Sequence, residues 1–273
     1  MLKVIKNFWL VPFCLALVFV LAGCQHKMVE LPVDQTNFDK PTTTDESLNS
    51  VDQPVIPETK VIEIKPPAEE KVITSTSVSD RLIYQVPFTS QAPLGVWDDL
   101  HEESCEEAVM IMADAYFNHK NLTKNSAEQE ILNLVEWENN NNFLVDLNAQ
   151  EFQSVLSQYF SLSSELIVSV TPETIKQQLN LGRLVIVPTA GRQLGNPHFT
   201  GIGPIYHMVL IKGYDGQNFI TNDPGTRHGE SYVYPYAQLI NAVHDWQHDL
   251  AVDGMTDAEM ETGRKVMIVI FKN

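Results

Sequence analysis

The composition of the chain changes sharply near residue 80, and this change restricts where a folded core can form. Residues 25–80 contain no glycine, six prolines and a single Phe, Tyr or Trp residue, Phe38, among many threonine, serine and acidic residues. Such a segment cannot bury enough apolar surface to offset the entropy that it would lose on ordering. We therefore predict that residues 24–80 form a disordered stalk, stiffened locally by proline, and that residues 81–273 form the folded domain.

The predicted domain is long enough to bury one full hydrophobic core, and its charge excludes some partners. It carries 11 Lys and Arg residues against 24 Asp and Glu residues. An excess of negative charge opposes binding to nucleic acid and direct electrostatic adhesion to anionic lipids. We expect no nucleic-acid partner.

The first 23 residues have the pattern of an export signal. Two lysines precede an apolar run over residues 8–22, which is shorter than the roughly 20 residues that a membrane-spanning helix needs. The run ends in Leu21-Ala22-Gly23-Cys24, which resembles the signal of bacterial lipoproteins. The resemblance implies that Cys24 is lipidated with acyl chains such as palmitate and anchors the chain to the cell membrane on its extracytoplasmic face. An ordinary secretory or anchor segment is the alternative.

The chain has three cysteines, and two of them are assigned to the export signal. Cys14 would leave with the signal and Cys24 would carry the lipid, so Cys105 would be the only free thiol. An odd thiol in an exported protein indicates either an intermolecular bridge or a reactive group. A buried structural cysteine is the third interpretation.

The residues around Cys105 predict a loop that turns into an amphipathic helix. Apolar residues recur at a spacing of three to four from Val109 onwards, and Ser104 is a candidate N-cap. Glu106 and Glu107 suit the positive end of the helix dipole. The same dipole favours the thiolate of Cys105, but the adjacent carboxylates oppose it. An activating base is therefore expected.

The remaining pattern predicts an α+β domain in which N-terminal helices pack on a C-terminal antiparallel sheet. Capping signals and apolar periodicity place the helices in the first half and the strands in the second. We expect helices that begin at Cys105, Ser126, Asn148 and Thr171, and strands at 184–187, 206–212, 217–222, 232–234 and 266–272.

A predicted hairpin over residues 206–223 brings a histidine close to an aspartate. If the loop is the three-residue turn 214–216, His207 lies opposite Asp223 on the same face of the sheet. This spacing suits a hydrogen bond between imidazole and carboxylate. A two-residue turn at 215–216 would shift the register by one residue and separate the pair.

Five blocks of sequence follow one another in the predicted domain: Val86 to Pro93, Trp97-Asp98, Ser104 to Ala108, Tyr206 to Asp215 and Asn222 to Thr226. Taken in this order, they resemble the C39-like cysteine peptidases. The resemblance covers most of residues 81–273 and implies a papain-like fold with a cysteine, a histidine and an aspartate in that chain order.

The resemblance assigns roles to four residues. It makes Cys105 the nucleophile, His207 the general base and acid, and Asp223 the group that orients His207. Gln91 would donate its side-chain amide to the oxyanion hole beside the backbone N–H of Cys105. The implied reaction is hydrolysis of a peptide or amide bond of a peptide or protein substrate through a thioester, with no cofactor or metal.

Three further residues are candidates for contact with the substrate. Asn196 and His198 lie in a glycine-rich loop, residues 191–203, that leads into the strand of His207, and Trp97 is a candidate cleft-wall residue. A solvated loop histidine and a core tryptophan are the alternatives. For the whole domain, a transglutaminase-type acyl transferase and a catalytically inactive tethered binding module remain open beside the peptidase.

Overall fold

A computed structural model describes residues 80–272 of the chain. The expected signal, the expected lipidation site Cys24 and the expected stalk up to residue 79 lie outside the described residues. Within residues 80–272, no helix combines the length and the apolar character needed to cross a membrane.

The described residues form one antiparallel sheet of seven strands. The strand order is β2-β7-β3-β4-β5-β6, and β1 pairs with β4 beside that path. The strands are β1 (Arg81–Ile83), β2 (Ser163–Ile167), β3 (Leu184–Ala190), β4 (Tyr206–Asp215), β5 (Asn218–Asn222), β6 (Tyr232–Pro235) and β7 (Met267–Phe271).

Most of the helices precede the central strands in the chain. The helices are α1 (Asp99–Glu102), α2 (Cys105–Phe117), α3 (Lys124–Asn140), α4 (Ala149–Gln158), α5 (Pro172–Asn180), α6 (Tyr236–Ala242), α7 (His248–Ala251) and α8 (Asp257–Met260). A short 3-10 helix, Gly191–Leu194, follows β3. The predicted fold class, α+β with helices packed on an antiparallel sheet, is confirmed.

The sheet separates two apolar layers, and this explains why the residues of its central strands are buried on both faces. Successive strand residues point to opposite faces. Ile186 of β3 packs in the layer that contains α2, α3 and α4, and Val187 packs in the layer that contains α5 and α6. Every residue of β3 is buried. Burial on both faces fixes β3 and β4 in the centre of the domain, and β4 carries His207.

Capping chemistry sets the helix starts. Asn148 and Glu151 form the expected capping box at the start of α4, and Thr171 caps α5 with proline in its first turn. Helix α3 begins earlier than expected, because Thr123 is its N-cap and Ser126 is the reciprocal partner in the capping box. The predicted start at Ser126 is therefore wrong by one turn.

The hairpin between β4 and β5 has a different register from the one expected. Asp215 pairs with Asn218, so the turn has two residues, and an irregularity between Ile211 and Gly213 then shifts the pairing. The pairing ends at Leu210 and Asn222. His207 and Asp223 are therefore not paired in the ladder, and the predicted three-residue turn is wrong.

Candidate active site

A cleft of about 950 Å³ lies where the start of α2 meets β4. Glu103 and Gln91 line it on the helical side, and Tyr206 and Gly225 line it on the sheet side. Cys105 follows Glu103 by two residues and His207 follows Tyr206 by one. Both are nearly covered, with 5% and 1% of their surface exposed, and neither is itself a lining residue. The thiol and the imidazole therefore lie just beneath the surface of the cleft.

Cys105 is the first residue of α2, as the sequence predicted. Ser104 occupies the N-cap position, but its hydroxyl donates to the Leu100 carbonyl and does not cap the helix. Cys105 Sγ lies within hydrogen-bonding distance of Glu106 Oε2, at 2.9 Å. Burial, followed by the charge and hydrogen bond of Glu106, raises the pKa of Cys105 well above its usual value, whereas a hydrogen bond from the Met208 backbone lowers it. The thiol needs a base to become reactive.

His207 and Asp223 form a buried imidazole–carboxylate pair. His207 Nε2 lies 2.7 Å from Asp223 Oδ1, and Asp223 is fully buried. The ring of Phe199 packs edge-on against the imidazole at 5.3 Å between centroids. Because Nε2 is bound to the carboxylate, Nδ1 is the ring nitrogen left to act on a thiol.

Four donors hold the carboxylate of Asp223. Oδ1 accepts from His207 Nε2 and from the Gly225 backbone N–H at 3.0 Å, and Oδ2 accepts from Tyr234 Oη at 2.6 Å and Asn196 Nδ2 at 2.9 Å. Burial raises the pKa of Asp223, but the charge of His207 and these hydrogen bonds outweigh burial and lower it below its usual value. Asp223 is thus a fixed anion that orients His207.

A turn after β5 brings the aspartate onto the histidine. The Asp223 N–H donates to the Gly229 carbonyl, so the chain leaves the ladder at this point. A Cβ atom on Gly225 would lie 2.8 Å from His207 Cε1, which is closer than real Cβ atoms approach. Only glycine lets the turn fold flat against the imidazole. The turn therefore forms the expected hydrogen bond between His207 and Asp223, although the two residues are not paired between the strands.

Gln91 lies at the cleft, but its amide is already engaged. Nε2 donates to the carbonyls of His101 and Glu102, each at 2.8 Å. Two carbonyl acceptors require the NH₂ group at this position, so the amide orientation is fixed. No N–H of the Gln91 side chain is free for an oxyanion in this conformation. Instead, Gln91 holds the end of α1 just before Cys105.

Of the three expected substrate-contact residues, two lie at the cleft and the third lies away from it. His198 and Trp97 line the cleft, and Trp97 is 43% exposed. The ring of His198 lies 4.8 Å from that of His228. Asn196 is only 6% exposed, and its side chain bonds to Asp223 and Tyr234 behind the histidine. Its position suits support of Asp223 rather than contact with a substrate.

Two residues of the site were not expected from the sequence. Glu106 was interpreted only as a charge at a helix start, although it touches the thiol. Tyr234 lies on β6, which pairs with β5, and its hydroxyl donates to Asp223 Oδ2. Within residues 80–272, no three His, Cys, Asp or Glu side chains are grouped so that they could hold a metal ion.

Comparison with known proteins identifies the family of this chain. The model of the Peptidase_C39 like family matches residues 83–249, a range that includes Cys105, His207 and Asp223. The chain belongs to this family. A crystal structure of a candidate C39-like peptidase from Bacillus anthracis is similar at 15% identity, covers 71% of this chain and 98% of its own, and gives a TM-score of 0.46. No curated protein matches the chain.

Proposed function

We propose that this C39-like protein is a cysteine peptidase or amidase that is held on the extracytoplasmic face of the cell membrane by a lipid on Cys24. The hydrogen bond between His207 Nε2 and Asp223 Oδ1 carries the catalytic part of the proposal. It fixes the imidazole of His207 on β4, and the next residue, Met208, contacts Cys105 through its backbone. We infer that Cys105 is the residue that this base activates.

The proposed reaction has two stages, and His207 serves both. Nδ1 takes the proton of Cys105, and the thiolate attacks the carbonyl carbon of an amide bond. His207 then gives that proton to the leaving amine, which leaves a thioester on Cys105. In the second stage His207 removes a proton from water, and the resulting hydroxide equivalent releases the acid and restores the thiol. Asp223 keeps the proton of the imidazole on Nε2 throughout.

The first turn of α2 would stabilise the oxyanion of each stage. The backbone N–H of Cys105 belongs to the uncapped start of this helix. Gln91 would add a second donor if substrate binding released one of its two carbonyl partners. One such donor contributes about 2.7–4 kcal/mol to stabilisation of the transition state.

Turnover of peptides by the full-length protein in detergent tests the catalytic proposal. Mass spectrometry would follow a mixture of peptides incubated with wild type, Cys105→Ala and His207→Ala. We expect wild type to produce new termini, Cys105→Ala to produce none, and His207→Ala to cleave at least about 100-fold more slowly than wild type. Cleavage by Cys105→Ala at the wild-type rate would refute the proposal. So would adducts formed with an added amine in place of hydrolysed products, since these would indicate an acyl transferase.

Metabolic labelling with a palmitate analogue tests the anchor separately. We expect the label on wild type and its absence on Cys24→Ser, because a thioether-linked lipid needs that sulfur. Cys14→Ser serves as the control and should label like wild type. Equal labelling of wild type and Cys24→Ser would refute anchoring at Cys24 and leave the catalytic proposal unaffected.

A further inference from the structure

The carboxyl group of Glu106 lies between the candidate nucleophile and one wall of the cleft. Oε2 is 2.9 Å from Cys105 Sγ, and Oε1 accepts a hydrogen bond from the Leu147 backbone N–H at 3.1 Å. Leu147 directly follows Val145 and Asp146, which line the cleft. The residue is 1% exposed. Each oxygen of this buried group therefore has a different partner.

The surroundings of Glu106 disfavour a negative charge. The ion pairs formed within residues 80–272 do not include it. The titratable groups that interact with it are Cys105, Glu107, Glu138, Asp146 and Tyr206. Burial, followed by the charges of Glu107 and Asp146, raises the pKa of Glu106 well above its usual value. A buried carboxylate without a cation is costly, so these contacts favour the neutral acid.

The contact with Leu147 decides which oxygen would carry the proton. An N–H donor already occupies Oε1, which must therefore offer a lone pair. The proton of a neutral Glu106 then lies on Oε2, the oxygen that faces the sulfur. We propose that Glu106 acts as a neutral carboxylic acid whose Oε2–H donates to Cys105 Sγ and thereby leaves the thiol proton free for His207.

This role rests on the proposed function, because Cys105 is the nucleophile of that reaction. When Glu106 is ionised, the thiol donates to Oε2 and its proton is engaged there. When Glu106 is neutral, the sulfur accepts, and its own proton can pass to Nδ1 of His207. The thiolate that forms then accepts hydrogen bonds from Glu106 and from the Met208 backbone N–H. Glu106 keeps its proton through the cycle, so the step is a proton transfer from sulfur to imidazole alone.

Glu106→Gln is a close structural copy of the neutral acid. Its amide oxygen would accept from Leu147 and its NH₂ group would donate to the sulfur, at every pH. We would measure the rate of alkylation of Cys105 by iodoacetamide at pH 7 in the full-length protein. We expect Glu106→Gln to stay within about threefold of wild type, and Glu106→Ala to react about tenfold or more slowly, because it loses a hydrogen bond to a charged sulfur. Glu173→Gln, an exposed carboxylate of α5, should change nothing.

Infrared spectroscopy gives a second measurement that needs no turnover. The difference spectrum between wild type and Glu106→Gln at pH 7 should contain the carbonyl band of one protonated carboxyl group. A carboxylate band in its place would overturn the proposal even if the protein proved to be an active peptidase. A rise of about tenfold or more in the alkylation rate of Glu106→Gln would also overturn it, because ionised Glu106 would then be restraining the thiol. If Glu106→Ala fails to fold, Glu106→Gln and the infrared band still decide the question.

Discussion

The four donors around Asp223 make a specific prediction about Tyr234. The Tyr234→Phe substitution removes the donor on Oδ2 at 2.6 Å and keeps the buried ring. A hydrogen bond to a charged group contributes about 1.5–3 kcal/mol, so the free energy of unfolding should fall by about this amount near pH 7. Since about 1.4 kcal/mol corresponds to one pKa unit, the pKa of Asp223 should rise by roughly one to two units.

The loss should depend on pH in one direction. Burial raises the pKa of Asp223, but the charge of His207 and the hydrogen bonds bring it below its usual value. The ionised form therefore stabilises the folded state above that usual value, and this contribution is lost as the pH falls through the lower, folded-state pKa. The difference in stability between wild type and Tyr234→Phe should be full at about pH 6–7 and smaller below about pH 3.

Urea unfolding followed by tryptophan fluorescence measures this difference at both pH values. Tyr232→Phe is the matched control, because its ring lies 4.7 Å from that of Tyr234 on the same strand. Within the described part of the chain, Tyr232 makes no hydrogen bond to Asp223. Equal losses in the two variants at pH 7 would contradict the reasoning. A loss in Tyr234→Phe that stays constant down to pH 3 would also contradict it.

Two further substitutions test neighbouring parts of the site. Gly225→Ala would place a Cβ atom 2.8 Å from the imidazole of His207. The displaced imidazole should lower peptide turnover by about tenfold or more. Circular dichroism should show that the fold is retained. Glu138→Gln should stabilise the protein more at pH 9 than at pH 5. Burial and the charge of Glu107 raise the pKa of Glu138 to about 11 in the folded protein. The wild type therefore loses stability as the pH rises from the usual pKa of a glutamate towards this folded-state pKa. Glu136 is exposed on the same helix, and Glu136→Gln should have the same melting temperature as wild type at both pH values. If Glu138→Gln stabilises the protein no more at pH 9 than at pH 5, this linkage is refuted.

Local chemistry explains which parts of the fold could be predicted from the sequence. The capping box of Asn148 and Glu151 and the proline after Thr171 act within one turn of helix, so their effect is readable from neighbouring residues. The start of α3 was missed because Thr123 offers the same capping chemistry three residues before Ser126. Strand β2 was also missed. It lies at the edge of the sheet, and its residues are only partly buried, so its sequence lacks a strong apolar pattern.

The expected contact between His207 and Asp223 is present, but it arises through a different geometry from the predicted one. His207 and Asp223 meet because a glycine turn folds the chain back, whereas the expected register would have needed a different hairpin loop. The engagement of Gln91 by two carbonyls depends on where α1 ends, and the contact of Glu106 with the thiol depends on the Leu147 peptide. These partners are distant in sequence, and only tertiary packing brings them together.

The alkylation rate of Cys105 in wild type and His207→Ala tests the central claim most directly. Mass spectrometry would locate the label and follow its rate with iodoacetamide across the pH range. If His207 is the base that activates the thiol, the rate at pH 7 should fall by about tenfold or more in the variant. Equal rates in the two proteins would contradict the account, because His207 would then have no part in activating Cys105.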